Sequence, residues 1–421
     1  MIDVSLLRKD PEAFKRAAAQ KGFSIDIDEL LRIDRAARAL RSNVETLRQS
    51  RNSLSVSPRD EGVDDKELRI AKAKQVNSDL AEAEHQLSAF EAELGELLLK
   101  VPGIPAPEVP VGESEADNVE VKRWGSPPVF DFPPLDHMQL ASMHKMVDVD
   151  KSRKFAGTRS YALMGWGARL HLAILQLAVD IVRERGFTPV VPPVLVREKA
   201  LVGTGFFPNG RDDTYSLPDD GQYLVGTSEV SLIALHSDET MSSYDLPIRY
   251  VGVSPCFRRE AGAASRDTRG LYRVHTFYKV EQVSIGPNDE AWADQEHHRL
   301  LENSEAILQA LEIPYRVALA CTAELGLGQS KKHEVESWMP SRNAFSETHS
   351  CSTLLDFQSR RAGIKYKDTS GKSKFAFTLN NTAIASPRIL IPFLENHQQK
   401  DGSIRIPAQL QKYLGGTPVI G

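Results

Sequence analysis

Two stretches of this chain repeat apolar residues in alternating steps of three and four, and no other feature so narrows what it can fold into. Leu30, Ile33, Ala37, Leu40, Val44, Leu47 and Leu54 form the first seam, interrupted only by Arg51. Ala73, Val76, Leu80, Ala83, Leu87, Phe90, Leu94 and Leu97 form the second. Such spacing gathers the apolar side chains into one stripe of a helix. Two seams of similar length joined by a short polar segment predict an antiparallel helical hairpin over about residues 27–99. At about 1.5 Å per residue it would run some ~40 Å and project rather than pack globularly. Ser57-Pro58 stops the first helix.

The first helix carries Arg35, Arg38, Arg41, Arg48 and Arg51 against one acid, Glu45, and all but Arg51 lie off the seam. Such a face is either simply solvated or a surface for a phosphate backbone. The net charge of the whole chain is -5, so any nucleic-acid contact must come from a local patch of this kind.

Before the seams, residues 1–22 read as a strand and then a helix beginning at Asp10-Pro11, where Asp caps and Pro is tolerated. After them, the Pro-rich run Val101–Gly112 reads as an extended linker and places a domain boundary at 106–107. Beyond it the pattern is mixed. A helix is expected over Ala168–Arg185 and one strand over Phe187–Val196. Further strands are expected at Tyr250–Phe257, Thr276–Ile285, Tyr315–Ala320 and Phe375–Leu379, then a helix over Ser386–Gln399. Antiparallel strands with flanking helices make the second domain α+β.

Three widely spaced cysteines, Cys256, Cys321 and Cys351, suit a reducing compartment and neither a disulfide framework nor a Cys-based zinc site. The most apolar helical stretch, His171–Val182, is short of the roughly 20 residues a bilayer needs. The Met-Ile-Asp-Val-Ser start is unlike a secretory or transit peptide, so the expected location is cytoplasmic.

Several familiar motifs fail. Gly371-Lys372-Ser373 lacks the earlier glycine of a phosphate-binding loop, since Tyr366 stands there, and His333-Glu334 lacks the second histidine of a zinc protease, since Ser337 does. The stretch 254–283 is more informative. It reads as two strands joined by a basic, Gly-containing loop with Arg266 and Arg269, and Arg258, Glu260, Phe277 and Glu281 are expected on one face of that pair. An arginine, two carboxylates and an aromatic together suit an anionic nucleotide plus an ammonium group.

Three segments in order then resemble the signatures of class II aminoacyl-tRNA synthetases. They are Gly186-Phe187 through Pro193; Phe257-Arg258-Arg259-Glu260 with His275-Thr276-Phe277 to Glu281; and Thr378-Leu379-Asn380-Asn381-Thr382 to Pro387-Arg388, continuing into Leu394-Glu395-Asn396. Behind a long hairpin, they resemble a seryl-tRNA synthetase of the bacterial or organellar type over the whole chain. The resemblance implies a homodimeric ligase using ATP and Mg2+, with no zinc, that forms seryl-adenylate from L-serine. It would pass the seryl group to tRNA(Ser), and to tRNA(Sec) as a further acceptor, without a membrane partner.

It also implies roles. Arg258 and Arg388 would bind ATP phosphates and offset the charge of the transition state, Phe277 would stack on adenine and Glu260 would hold its amino group. Glu347 and Ser350 would contact Mg2+. Thr227, Glu229 and Glu281 would hold the serine ammonium and hydroxyl, with Asn380 and Thr382 closing that pocket, while Arg35, Arg38, Arg41 and Arg48 would meet tRNA. The basic loop would close over ATP or the acceptor end. The chain departs from the family's usual residues at Val274, Thr276, Tyr278, His349 and Thr353, and reads Asn381-Thr382 for Gly-Ser and Ser386-Pro387 for Val-Gly. Those changes bear on substrate choice, and leave as alternatives a paralogue in specialised metabolism or for a serine analogue, or a noncatalytic RNA-binding paralogue.

Overall fold

The computed structural model describes residues 1–56, 62–263 and 270–421. It begins with α1 (Val4–Lys9) and α2 (Pro11–Gln20). The expected opening strand is a helix, because Asp3 accepts a hydrogen bond from Ser5 N at 2.8 Å and caps a turn that buries Leu7. α2 starts where Asp10-Pro11 placed it, with Asp10 accepting from Ala13 N at 3.0 Å.

The seams then form α3 (Ile27–Ser55) and α4 (Val63–Leu98). Val44 on α3 is buried against Leu80 and Ala83 on α4, with Leu47 and Leu87 beside them. The Ser57-Pro58 stop falls outside the described residues. Off the seam, Arg41 and Glu91 pair across the two helices at 2.5 Å, and Arg48 and Glu84 at 2.7 Å. Arg38 pairs with Asp34 at 3.1 Å, whereas Arg35 is exposed.

The chain divides into compact units, Ile2–Pro102 and Gly103–Gly421. Most of the Pro-rich stretch therefore belongs to the second unit rather than hanging free. Gly103 N donates to Leu327 O and Ala106 N to Ser330 O, both at 2.8 Å, and Val109 is buried with Leu319 and Leu325. An extended segment without a ladder of its own satisfies its backbone by such contacts.

The second unit is built on one eight-stranded sheet. Its strands are β1 (Val119–Trp124), β2 (Thr188–Val190), β3 (Ile248–Phe257), β4 (Thr276–Gly286), β5 (Tyr315–Leu319), β6 (Lys331–Met339), β7 (Ala344–Leu355) and β8 (Phe377–Ser386). They lie in the order β1-β5-β6-β7-β8-β4-β3-β2, antiparallel except for β2 beside β3. The strand expected over Phe187–Val196 is two short ones, β2 and a separate strand at Leu195–Arg197. Pro192-Pro193 between them has no N–H to give a ladder. Two long central strands, β6 and β7, had no clean alternation in the sequence and were not foreseen.

Helix α5 (Gly165–Glu184) is longer than its apolar stretch suggested. By length and composition alone it would be enough to cross a membrane. Its Leu170, Ala173, Ile174, Leu177, Ala178 and Val182 are buried in the main core with Val251, Val280, Leu379 and Ile384 of the sheet, which makes it the core helix of a folded domain. α6 (Glu229–Ala234), α7 (Glu290–Ala310), α8 (Phe357–Ala362) and α9 (Leu390–His397) complete the frame around the site. α9 begins four residues later than the helix expected from Ser386, because β8 runs through to Ser386.

Candidate active site

Alternation along β4 turns Phe277, Lys279 and Glu281 to one face, where they line a cavity of about 420 Å³. Thr227 and Glu229 at the start of α6, Glu347 and Ser350 from β7, and Asn380 and Thr382 from β8 line the same cavity. Arg258 and Glu260 reach it from the turn after β3 rather than from the strand face expected of them, and Glu260 takes a positive φ of 54° to do so. Arg388 enters from the turn before α9. All eleven residues to which the resemblance gave nucleotide, amino-acid or metal roles therefore meet in one place. The loop with Arg266 and Arg269 lies outside the described residues.

One part of the cavity is cationic and aromatic. The Arg258 guanidinium lies 5.3 Å from the Phe277 ring centre, and Arg273 holds Glu260 at 3.3 Å. Arg388 lies 4.5 Å from the Tyr272 ring centre, donates to Tyr272 O at 3.2 Å and has Glu347 Oε2 at 3.7 Å. Planar guanidiniums steadied in this way offer two parallel donors to a phosphate. Glu347 and Ser350 present hard oxygen donors beside them, a set that fits magnesium.

The other part is acidic and buried. Glu229 Oε1 accepts from Gln358 Nε2 at 2.7 Å and from Asn380 Nδ2 at 2.8 Å. Burial, then repulsion from Glu281, pushes the Glu229 carboxyl up to about 7. Burial also raises Glu281, against the pull of Lys279, which pairs with it directly. Lys279 Nζ also lies 3.5 Å from Thr382 Oγ1, so this hydroxyl sits within reach of the acidic cluster. Two buried carboxylates with one internal cation leave room for a second cation, which an amino acid's ammonium would supply.

Lys279 and Gln358 are site residues that sequence reasoning missed. Lys279 was findable, since it stands two residues from both Phe277 and Glu281 on one strand face. Gln358 had no such signal; it is brought to Glu229 by α8, and Thr378 Oγ1 orients it at 2.7 Å.

Of the departures from the family's usual residues, Val274, His349, Thr382, Ser386 and Pro387 line the cavity, and Thr276, Tyr278, Thr353 and Asn381 do not. Thr276 and Tyr278 point to the opposite face of β4, where they line a separate cavity with Tyr161 and His171. Val274 touches the active cavity but is almost fully buried. His349 reaches its wall with only 1% of its surface exposed; Thr348 Oγ1 holds its Nδ1 at 2.8 Å, and burial pushes it down to about 3. It is a neutral packed side chain. Thr353 lies behind the sheet, 2.9 Å from His297 Nδ1.

An antiparallel sheet with one parallel edge strand, arginines at one part of a cavity and buried carboxylates at another, defines the core of a class II aminoacyl-tRNA synthetase. The class II core domain model (G, H, P, S and T) matches residues 215–397, and the seryl-tRNA synthetase N-terminal domain model matches residues 1–105. The serine–tRNA ligase of Deinococcus radiodurans is 45% identical over 421 residues, covering 100% of this chain and 99% of the relative. That of Thermobifida fusca is 41% identical over 416 residues, covering 99% and 98%. Among solved structures, seryl-tRNA synthetase from Pyrococcus horikoshii complexed with ATP superposes with a TM-score of 0.92 at 35% identity, covering 100% of this chain and 99% of that one. The cytoplasmic enzyme of Naegleria fowleri in complex with AMP gives 0.89 at 28%, covering 100% and 98%. This chain belongs to the seryl-tRNA synthetase family.

Proposed function

We propose that this enzyme activates L-serine with ATP, releasing pyrophosphate, and transfers the seryl group to the terminal ribose of tRNA(Ser), with tRNA(Sec) as a second acceptor. The observation that carries this reading is the pairing, in one cavity, of two arginines with two buried carboxylates. The first pair suits phosphates and the second suits an ammonium group.

The amino-acid carboxylate is already a nucleophile, so the step needs no general base. Thr227, Glu229 and Glu281 hold the ammonium and hydroxyl, and Asn380 and Thr382 close the pocket, so that the carboxylate meets the α-phosphorus in line. Phe277 stacks on adenine and Glu260 takes its amino group. Arg258 and Arg388 stabilise charge gathering on the phosphate oxygens as the P–O bond to pyrophosphate breaks. Glu347 and Ser350 would hold Mg2+, which would supply positive charge to offset that of the phosphates.

Residues 107–421 carry this chemistry, and residues 1–106 carry the tRNA contact through the hairpin and Arg35, Arg38, Arg41 and Arg48. A homodimer is part of the reading: Leu172 on α5 and Val191 just after β2, on the segment that resembles the first class II signature, are 66% and 86% exposed. The compartment is the cytoplasm. Serine is preferred because a hydroxyl-binding pocket rejects alanine by roughly 10⁴-fold, while excluding one methyl group is worth only ~1–3 kcal/mol, which makes threonine the harder competitor.

ATP–pyrophosphate exchange with serine, threonine, alanine and glycine tests the reading. Exchange driven by serine is expected; exchange with none of the four would overturn it, and a better response to another amino acid would favour the specialised paralogue.

A further inference from the structure

The β7–β8 pairing runs from Leu355↔Thr378 to Cys351↔Asn381 and stops. The next residues on each strand, Ser350 and Thr382, both line the active cavity. On its other side β8 slips against β4, with Ala383 skipped between the pairs Glu281↔Thr382 and Val280↔Ile384. The sheet thus opens where the site is, and a buried carbonyl at such an edge needs a donor from elsewhere.

Side chains supply those donors. Asn381 Nδ2 donates to Ser350 O at 3.1 Å, and Ser304 Oγ on α7 lies 3.1 Å from Thr382 O. Asn381 cannot turn around, because its Oδ1 accepts from Gln282 Nε2 at 2.6 Å and from the Ser304 hydroxyl at 2.5 Å, whose single proton is shared with Thr382 O. Gln282 is itself held, its Oε1 accepting from Asn303 Nδ2 at 2.5 Å, and Arg185 donates to Asn303 Oδ1 at 3.1 Å. Gln282, Asn303, Ser304 and Asn381 have no exposed surface. A fully satisfied buried network holds each member in one rotamer.

We propose that Asn381 and Ser304 are positioning residues that carry the sheet across this opening, Asn381 setting the place of Ser350 and Ser304 that of Thr382. The proposal rests on the roles given above to Ser350 with magnesium and Thr382 with serine. Neither positioning residue touches substrate; each fixes the main chain of one that does. The two ends of the network, joined at the Ser304–Asn381 hydrogen bond, divide by output, since they fall on residues serving different ligands.

That division makes the test. Calorimetric binding of a non-hydrolysable ATP analogue is followed across a magnesium titration, and serine binding is measured with the analogue present. Asn381→Ala is expected to raise the magnesium needed for half-saturation about tenfold, the usual scale for losing support behind a metal ligand, with serine affinity changed less than about twofold. Ser304→Ala is expected to weaken serine about fivefold, the scale of one neutral hydrogen bond, with the magnesium requirement unchanged. Ser304→Thr keeps the hydroxyl and should restore serine binding, and this pair of variants stands alone if Asn381→Ala fails to fold. Equal losses for both ligands in both variants, or no rescue by threonine, would overturn the proposal. Wild-type protein that exchanges pyrophosphate without dependence on serine would instead overturn the site assignment beneath it.

Discussion

Arg41 and Arg48 on the hairpin and Arg258 and Arg388 in the cavity carry the same charge in different surroundings. The hairpin pair is exposed and reaches across to Glu91 and Glu84, where water and salt screen the attraction and each ion pair is worth about 0–1 kcal/mol. The cavity pair lies against Phe277 and Tyr272, with Arg258 acting on the buried Glu281 and Arg388 3.7 Å from Glu347. The difference teaches that an arginine's role follows from what desolvates it. On the hairpin, the partners are exposed carboxylates held by a screened attraction; in the cavity, aromatic rings and a main-chain carbonyl hold the guanidiniums.

If that contrast holds, removing residues 31–98 should abolish tRNA charging, a loss beyond ~10³-fold, while serine-dependent pyrophosphate exchange survives. Loss of both activities in the same preparation would mean that the hairpin supports the fold of the other unit. Next in size, Arg388→Ala should lower exchange by about 10²–10³-fold, as for loss of one preorganised charge-stabilising group. Arg388→Lys should recover only part of it, and full recovery would show that the planar fork is not needed.

Glu229 offers a subtler check through pH. Its folded pKa of about 7 lies above the unfolded carboxyl value, so between the two the native state holds a proton that the unfolded state has released. The stability from this group is therefore present below the unfolded pKa and is lost as pH rises through about 7. Glu229→Gln should melt several degrees above wild type at pH 8, with the gap closing toward pH 4, and should bind serine at least ~10-fold more weakly at pH 8. A melting-temperature gap that widened toward acid would show the opposite shift. The smallest effect is expected on the hairpin surface. Arg41→Ala and Arg48→Ala should each change stability by less than about 1 kcal/mol and lower the salt slope of tRNA binding by about 1. An unchanged slope would leave these arginines as hairpin ion pairs alone.

How much of this was legible in the sequence varies with the range of the interaction. The hairpin was legible because seam periodicity is local and each seam buries against one partner. The opening strand was misread because a single cap at Asp3 outweighed the pattern of a six-residue segment. β6 and β7 were missed because their faces are mixed: Glu334, Glu336, Thr348 and Thr353 are buried there, so the usual apolar alternation is absent. Phe277 and Glu281 were paired from strand alternation, and the same rule would have added Lys279. The departures at Thr276 and Tyr278 seemed to threaten substrate choice because they sit between site residues in the chain, yet alternation sends them to the other face.

The sequence by itself determined the hairpin, the order of the three signature segments and the residue types able to meet phosphates and an ammonium group. These depend on spacing along the chain and on side-chain chemistry, both of which survive without a fold. Only the tertiary structure decided that Gln358 would hold Glu229, that Lys279 would neutralise Glu281, and that Asn381 and Ser304 would bridge an opening in the sheet. Those contacts join residues as much as 129 positions apart, and they exist only where β4, β7, β8 and the helices behind them converge.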